Sequence, residues 1–293
     1  MTTFAEYYEE NQERIWHSWR GREIKPKHKR EADKRVRKFM AFNGNSDRNL
    51  DKFKKNDLFL YMAHLSKDAD DGGEGLSQAT VNRHRAAILK VFNDAFEERE
   101  MTWRLKVDKY EEPEGRRRTF TDVEVKKIVN YLRSSRAPHM ADMALLSYHT
   151  GMRLGEICQI GYSAEYYLDA DGDPVLHLPT TKNGDSRDVY LNEEAAKCVA
   201  NLKGLYSYFS ATQFYNVWGE MKQSMGIKED EFTFHVFRHT NATYLANELN
   251  LNAKIIMTML GHRNLKTTQR YIKSLPESQK AAVKLIPPLA HFA

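Results

Sequence analysis

Residues 166–191 read YYLDADGDPVLHLPTTKNGDSRDVYL, and they interrupt a sequence pattern that is otherwise helical. Two turn clusters, at 169–173 and 183–184, separate short runs of residues that favour β-strands. An Asn-Gly pair between such runs, here Asn183 and Gly184, is typical of a tight hairpin. The stretch therefore predicts a small antiparallel sheet inside a mainly α-helical chain.

Helical periodicity flanks this stretch on both sides. Downstream it predicts helices over 193–203, 211–225, 234–249 and 253–260, the last with Asn252 as its N-cap and Gly261 as its stop. Upstream it predicts a helix with Pro138 in its first turn that ends near Gly151.

The clearest helix start is at Thr121. Thr121 and Glu124 have the spacing of a capping box, and Phe120 and Val125 are placed as its hydrophobic staple. Residues 106–118 before it lack apolar periodicity and include Pro113, which is typical of a linker. With 293 residues the chain is long enough for two domains. We expect a helical domain at 1–105, a linker at 106–118, a second domain at 119–275 and a tail at 276–293.

The first domain is predicted to be helical over 4–19, 29–42 and 56–67 and in a long helix that Ser77 opens. Within it, residues 20–38 carry ten lysines and arginines against three acidic residues. Such a density suits a surface that binds a polyanion. The alternative is a solvated helix face held by ion pairs between residues four apart.

Composition excludes several classes of protein. Hydrophobic residues make up 41% and charged residues 29%, as in globular proteins, and no apolar run is long enough to span a membrane. The acidic N-terminus does not resemble a signal peptide. Cys158 and Cys198 cannot form a disulfide framework or a zinc site by themselves, so we expect a cytoplasmic protein.

His235 and Arg238 share a helix face because they are three residues apart. The planar fork of an arginine suits a phosphate, although a buried histidine beside a surface arginine is the alternative. His239 lies four residues after His235, which invites a zinc site. We reject this site because Val236 stands where the metalloprotease motif requires glutamate.

Four further residues are candidates for the same site. Arg153 follows Gly151, where a helix end can direct the side chain into a cleft, although a salt bridge to Glu156 is the alternative. Lys182 lies at the predicted hairpin tip, where most lysines are simply solvated. His262 follows Gly261, and Tyr271 could equally be a core residue.

Taken in order, these residues resemble the tyrosine recombinase (phage integrase) family. The resemblance rests on four segments: HTGMRLGEI at 149–157, TTKNGDSRDVYL at 180–191, FHVFRHTNATYLA at 234–246 and MLGHRNLKTTQRYI at 259–272. It spans about 119–275 and extends more loosely to 1–105 through LSQATVNRHRAAILKVFNDAF at 76–96. One departure is Val236-Phe237, where the family often has an acidic or polar residue followed by leucine.

The resemblance implies a mainly α fold with a small antiparallel β-sheet, in which two domains clamp DNA. It also implies an enzyme that cleaves and rejoins DNA strands through a 3′-phosphotyrosyl bond without metal or ATP. Tyr271 would be the nucleophile and Lys182 the general acid. His235 would accept the tyrosine proton or position the phosphate, while Arg153, Arg238 and His262 would stabilise the transition state.

The partners it implies are double-stranded DNA with specific recombination sites, three further copies of the chain in a tetramer on DNA, and DNA-bending accessory proteins of host or phage. The tail at 276–293 would dock in a neighbouring protomer, with packing on its own domain as the alternative. Predicted DNA contacts are Lys25, Lys27, Lys29, Arg30, Arg83, Arg85, Arg116, Arg117 and Arg118.

The resemblance also implies a biological role in recombination. Integration or excision of a phage or another mobile element is the role we expect. The alternatives are a chromosome or plasmid dimer resolvase, a relaxing enzyme like type IB topoisomerases, and a DNA-binding regulator without catalytic activity.

Overall fold

The computed structural model describes residues 2–19, 21–113, 118–181, 184–203 and 211–272. The chain divides into two compact units, Met1–Glu114 and Gly115–Ala293. Within the described ranges the prediction of a mainly helical chain with a small antiparallel sheet is confirmed. No described helix is both long enough and apolar enough to cross a membrane.

Among its described residues, the first unit contains four α-helices, two short 3-10 helices (Leu50–Lys52 and Ala69–Asp71) and a two-stranded hairpin. The α-helices are α1 (Phe4–Ile15), α2 (Pro26–Ala41), α3 (Lys55–Ser66) and α4 (Gln78–Glu97), and the hairpin is β1 (Ser18–Trp19) with β2 (Arg22–Glu23). Ser77 is the N-cap of α4, and its hydroxyl accepts a hydrogen bond from the Thr80 N–H as the sequence predicts.

Aromatic rings fill the core of this unit. Phe4, Phe39, Phe53 and Phe92 are completely buried, and the ring centroid of Phe4 lies 5.1–5.7 Å from the other three. Tilted and edge-on ring pairs at this separation add to the stabilisation that burial provides. Because these residues come from three helices and one loop, the helices are tied into one body.

The segment after α4 packs on this unit and does not separate from it at residue 105. Val107 is 3% exposed in the aromatic core, and the Asn82 side chain bonds both the N–H and the carbonyl of Tyr110. The described part of the segment forms neither helix nor strand, so it shows no helical periodicity although it is partly buried. Much of the predicted linker at 106–118 therefore belongs to the first unit.

The second unit contains eight helices among the residues that the structure describes. They are α5 (Asp122–Arg133), α6 (His139–Thr150), α7 (Leu154–Ile157), α8 (Glu193–Leu202), α9 (Ala211–Ser224), α10 (His235–Asn247), α11 (Ala253–Leu260) and α12 (Leu265–Gln269). The predicted capping box of Thr121 and Glu124 opens α5, and the predicted staple residues Phe120 and Val125 are both buried.

The predicted sheet follows α7. Strands β3 (Glu165–Leu168), β4 (Pro174–Leu178) and β5 (Arg187–Tyr190) pair antiparallel in the order β3-β4-β5. One face of β4 and β5 is buried, with Leu176 at 1% and Val189 at 5% exposure, and these two residues are paired in register. The connection from β4 to β5 carries the hairpin tip with Lys182 and Asn183, which lie outside the described residues.

Candidate active site

Helix α6 ends at Gly151, where three helices meet. Gly151 adopts a left-handed conformation with φ of +67°, and a Cβ atom there would lie 2.4 Å from Leu260 Cδ2 and 2.9 Å from Asn241 Oδ1. A larger residue would have to displace the buried side chains of Leu260 and Asn241, so both the backbone conformation and the space favour glycine. The predicted helix stop is therefore also a packing point.

Arg238 lies buried at this packing point. Its guanidinium donates hydrogen bonds of 2.6 Å to the carbonyls of Gly151 and Leu260, and the residue is 1% exposed. Both carbonyls belong to helix C-termini, where backbone acceptors lack helical partners and the helix dipole favours a cation. Burial, followed by the charge of Arg153, lowers the pKa of Arg238 to about 9. Arg238 therefore remains a cation at neutral pH.

Arg153 is held by the carboxylate of Glu156. Arg153 Nη1 lies 2.7 Å from Glu156 Oε1, and Arg187 Nη2 lies 2.9 Å from Glu156 Oε2. Burial acts to raise the pKa of Glu156, but the neighbouring Arg187 and Arg153 outweigh it and the pKa lies below its usual value. The salt bridge that sequence analysis treated as an alternative is thus present. It orients Arg153 rather than removing it from the site, because the Arg153 side chain keeps 20% exposure.

Arg187 connects this cluster to the end of α11. Its Nη1 donates a hydrogen bond of 2.6 Å to the carbonyl of Met259. A Cβ atom on Gly261 would lie only 2.9 Å from the Cδ of Arg187. Gly261 has φ of +62° and ends α11 as predicted. The turn into His262 thus depends on a glycine that leaves room for Arg187.

His262 follows this turn and is fixed through its ring. Its Nδ1 is 2.9 Å from the hydroxyl of Thr268, which is completely buried. Burial, followed by the charges of Arg238 and Arg153, lowers the pKa of His262 to about 4. The ring is therefore neutral at pH 7 and can present one N–H as a donor.

Tyr271 lies beside His262, and the two rings are stacked with 6.4 Å between centroids and 11° between planes. Tyr271 is 8% exposed, and the Asn247 side chain donates a hydrogen bond of 3.0 Å to the backbone carbonyl of Tyr271. Burial raises the pKa of the Tyr271 hydroxyl, although the nearby Arg238, Arg270 and Arg153 oppose the shift. The hydroxyl is therefore protonated at rest and lies in the field of the arginine cluster.

A cavity of about 650 Å³ opens beside Arg153. Gln159, Pro179, Thr180 and Thr181 are among the residues that line it. Thr181 is the last described residue before Lys182, so the lysine hairpin starts at the wall of this cavity. On the other side of the hairpin, Arg263 forms a bidentate ion pair with Asp185, with Nε 2.7 Å from Oδ2. The position of Lys182 itself lies outside the described residues.

The sequence pattern of the phage integrase family matches residues 118–278. The chain belongs to the phage integrase family. The match covers all the residues of the cluster described above, from Arg153 to Tyr271, and more than half of the chain.

Relatives and solved structures agree with this assignment. The shufflon-specific DNA recombinase of Escherichia coli is 28% identical over 84% of this chain and 67% of its own length. The tyrosine recombinase of Thermosipho africanus is 25% identical over 86% of this chain and 90% of its own. A structure of the Tn1549 transposon integrase in complex with a circular intermediate DNA is similar in fold, with a TM-score of 0.73 and 16% identity over 98% of this chain and 100% of that one.

In this integrase-family chain the predicted catalytic residues have different surroundings. Arg153, Arg238, His262 and Tyr271 come together in the second unit, whereas Lys182 lies outside the described residues. His235 is exposed at the start of α10, and its ring lies 4.9 Å from that of His239. The site is thus assembled from the ends of α6 and α11, the buried face of α10 and the segment after α12.

The predicted DNA contacts in the first unit divide into two groups. Near the start of α2, Lys25, Lys27 and Arg30 are exposed and Lys29 is half-buried. Farther along α2 the cations are paired with acidic residues: Arg35 with Glu31, Arg37 with Asp33 and Glu9, and Lys38 with Glu74. The predicted polyanion surface and its alternative, an ion-paired helix face, therefore each describe part of α2.

The remaining predicted contacts differ in availability. Arg83 is exposed on α4, whereas Arg85 is half-buried and its Nε donates a hydrogen bond of 2.6 Å to the carbonyl of Val107. Arg116 and Arg117 lie outside the described residues. Arg118 pairs with Glu124 and Glu229, and its guanidinium lies over the rings of Phe120 and Phe232. Arg118 is therefore less available to a phosphate than the exposed Arg83, since two carboxylates already bind it.

Sequence analysis missed three residues of the site. Arg187 and Thr268 hold Glu156 and His262 in place, and nothing local in the sequence marks either residue. His239 was considered only as a zinc ligand with His235, yet its Nδ1 lies 2.9 Å from the Tyr271 hydroxyl. Among the residues that the structure describes, no group of three or more His, Cys, Asp or Glu is placed to hold a metal ion. The motif His-x-x-Arg-His was the available signal for His239.

Proposed function

We propose that this protein is a DNA recombinase that cleaves and rejoins strands through a 3′-phosphotyrosyl bond to Tyr271. The observation that carries the proposal is the convergence of a buried tyrosine hydroxyl with two arginines and a neutral histidine in one unit. Tyrosine with a raised pKa is a poor nucleophile until a phosphate and a base are in place. The family assignment supports the same chemistry.

The proposed reaction is an in-line displacement at phosphorus. The Tyr271 oxygen forms a bond to phosphorus, the bond to the 5′-oxygen of the next nucleotide breaks, and that oxygen takes a proton from Lys182. Negative charge grows on the nonbridging oxygens, where Arg153, Arg238 and a donor on His262 stabilise it. The phosphotyrosyl bond keeps the energy for religation, so a second strand can replace Tyr271 in the reverse reaction.

Arg153 is expected to contribute to the rate of strand cleavage more than to DNA affinity. Arg153 is partly exposed at the cavity wall, so Arg153→Ala removes a phosphate ligand and leaves the buried hydrogen bonds of Arg238 intact. We expect it to lower the cleavage rate by about 100-fold or more while DNA affinity changes little, because many other cations contribute to binding. Equal losses of binding and cleavage would show that Arg153 is an ordinary phosphate anchor.

DNA affinity in this proposal comes largely from lysines and arginines of the first unit. The exposed cations near the start of α2, with Arg83 on α4, form its described part. Contacts of this kind do not depend on base sequence and weaken as salt rises. The Escherichia coli relative is a DNA recombinase, and the Tn1549 integrase structure is a complex with DNA, which supports DNA as the partner. Four copies on two DNA sites would be the working assembly.

The biological role that we propose is integration or excision of a mobile element. Dimer resolution uses the same chemistry, and the two differ in their DNA sites. A plasmid carrying two copies of the target site distinguishes them from a relaxing enzyme: a recombinase deletes or inverts the segment between the sites, whereas a topoisomerase relaxes plasmids of any sequence.

The experiment that tests the chemistry uses end-labelled duplex fragments from the regions that flank the gene. Wild type, Tyr271→Phe and the control Tyr244→Phe, which alters an exposed tyrosine of α10, are incubated with them in EDTA and denatured in SDS. We expect a labelled protein–DNA adduct from wild type and from Tyr244→Phe, and none from Tyr271→Phe. DNA binding without any adduct would favour the regulator, and an adduct that persists in Tyr271→Phe would exclude Tyr271 as the nucleophile.

A further inference from the structure

The Tyr271 hydroxyl forms its hydrogen bond with the second histidine of α10. Tyr271 Oη lies 2.9 Å from His239 Nδ1, and the two ring centroids are 5.4 Å apart. The ring of His235, one helical turn earlier, also contacts His239, with 4.9 Å between centroids and 87° between ring planes. The imidazole of His239 thus contacts both the proposed nucleophile and the histidine that the family resemblance assigns to the site, and it is His239 that bonds the hydroxyl.

Burial and the neighbouring guanidinium groups favour the neutral form of His239. Burial lowers its pKa, and the guanidinium groups of Arg238 on its own helix and Arg270 beside Tyr271 lower it further. Tyr271 is protonated because burial raises the pKa of its hydroxyl. A neutral imidazole has one ring nitrogen that accepts. In the arrangement that suits both groups, the Tyr271 O–H donates to His239 Nδ1 and the proton of His239 is on Nε2.

We propose that His239, rather than His235, is the base that takes the proton from Tyr271 during strand cleavage. This inference rests on the proposed function, since it names the proton acceptor of that reaction. As the bond from Tyr271 Oη to phosphorus forms, the O–H bond breaks and the proton moves to His239 Nδ1. His239 becomes an imidazolium, and it returns the proton to Tyr271 when religation releases the tyrosine.

The direction of the transfer follows from the charges that DNA brings. In the free protein the transfer is uphill, because His239 is a weakened base and Tyr271 a weakened acid. A bound phosphodiester places negative charge beside the imidazole, which favours its charged form. Bond formation to phosphorus also makes the phenol proton more acidic. The hydroxyl therefore stays protonated at rest and loses its proton only with DNA in the site.

The first test needs no DNA. The ¹⁵N resonances of the His239 ring in the free protein report which nitrogen carries the proton, and Tyr271→Phe removes the hydrogen bond. We expect an unprotonated Nδ1 whose resonance moves in Tyr271→Phe, while Nε2 carries the proton. A protonated Nδ1 in the free protein would overturn the proposal, because His239 would then be a donor to Tyr271 and could not accept its proton.

The second test separates basicity from positioning. In His239→Asn the Oδ1 atom takes the place of Nδ1 as an acceptor but cannot take up a proton near neutral pH, and His239→Ala removes the acceptor as well. His17→Asn makes the same chemical change at an exposed histidine of the first unit. The substrate is a duplex in which a bridging 5′-thiolate replaces the leaving oxygen, so that Lys182 is no longer needed and attack by the tyrosine is observed alone.

We expect His239→Asn to form the adduct about 100-fold more slowly than wild type at pH 7, the size usual for a general base, with unchanged DNA affinity. A base must be neutral, so wild-type activity is present above the pKa of His239 and is lost as the pH falls through it. That acid limb should be absent in His239→Asn and present in His17→Asn. Wild-type rates in His239→Asn would overturn the proposal.

Failure of this inference is distinct from failure of the proposed function. If Tyr271→Phe forms no adduct while His239→Asn forms it at the wild-type rate, Tyr271 remains the nucleophile and His239 is not its base. If Tyr271→Phe still forms the adduct, the proposed function fails and the role of His239 fails with it. Thermal unfolding of each variant excludes loss of folding as the cause, and the NMR measurement stands by itself.

Discussion

Replacement of Arg238 by methionine should destabilise the second unit. Arg238 is 1% exposed, and its two hydrogen bonds of 2.6 Å go to the carbonyls of Gly151 and Leu260. Methionine keeps most of the side-chain volume but leaves both carbonyls buried without a donor, at about 1–3 kcal/mol each. Relief from burying a guanidinium offsets part of this cost. We therefore expect the free energy of unfolding to fall by about 2–4 kcal/mol.

Hydrogen exchange followed by mass spectrometry is the suitable assay, because it measures the stability of α6, α10 and α11 separately from that of the first unit. The matched control is Arg136→Met. Arg136 also makes two hydrogen bonds, of 3.2 and 2.7 Å, but to the exposed Glu220 carboxylate at the surface. Its loss should cost much less than the loss of Arg238, because an ion pair at the surface contributes little to stability.

Arg238→Lys refines the same prediction. A lysine keeps the positive charge, but its ammonium lacks the fork that spans two carbonyls, so stability should lie between wild type and Arg238→Met. If Arg238→Met were no less stable than Arg136→Met, Arg238 would not hold the two helix ends together. The structural account of the site would then be wrong at its centre.

Further predictions concern stability, pH and DNA binding. Gly151→Ala should cost about 2–5 kcal/mol of unfolding free energy, from a left-handed backbone and from the clash with Leu260, which denaturant titration measures. The second unit should lose stability as the pH falls from about 6.5 to 4. In this range His262 binds a proton in the unfolded chain but not in the folded protein, where its pKa is about 4. His262→Asn should flatten that slope, and an unchanged slope would contradict it. Lys27→Ala with Arg30→Ala should reduce the salt dependence of DNA binding by nearly two counterions in a titration of affinity against salt, and an unaltered slope would remove them from the interface.

Local sequence signals predicted the elements well because their causes are local. The capping box of Thr121 and Glu124, the N-caps Ser77 and Asn252 and the stops at glycine each depend on residues within a few positions. The sheet was predicted for the same reason, since turn residues and strand-forming runs alternate along one short stretch. Helix bounds differ from prediction at several ends, most clearly in α1, which ends at Ile15 before a hairpin.

Partners in the site could not be predicted because the contacts join distant parts of the chain. Glu156 binds Arg187, which is thirty-one residues away, and His239 binds Tyr271 at a separation of thirty-two. Sequence spacing indicated that His235 and Arg238 share a helix face, but not that Arg238 would be buried against two helix ends. Likewise, the density of positive charge along α2 did not show that Arg37 would pair with Glu9 of α1 or Lys38 with Glu74 of the loop before α4.

The central claim is that Tyr271 carries the DNA. The most direct measurement digests the adduct with trypsin and nuclease and identifies the peptide that bears a nucleotide by mass spectrometry. We predict a 3′-linked nucleotide on the tyrosine of the peptide Tyr271–Lys273, which follows Arg270. A nucleotide on another residue, or one joined through its 5′-phosphate, would contradict the account.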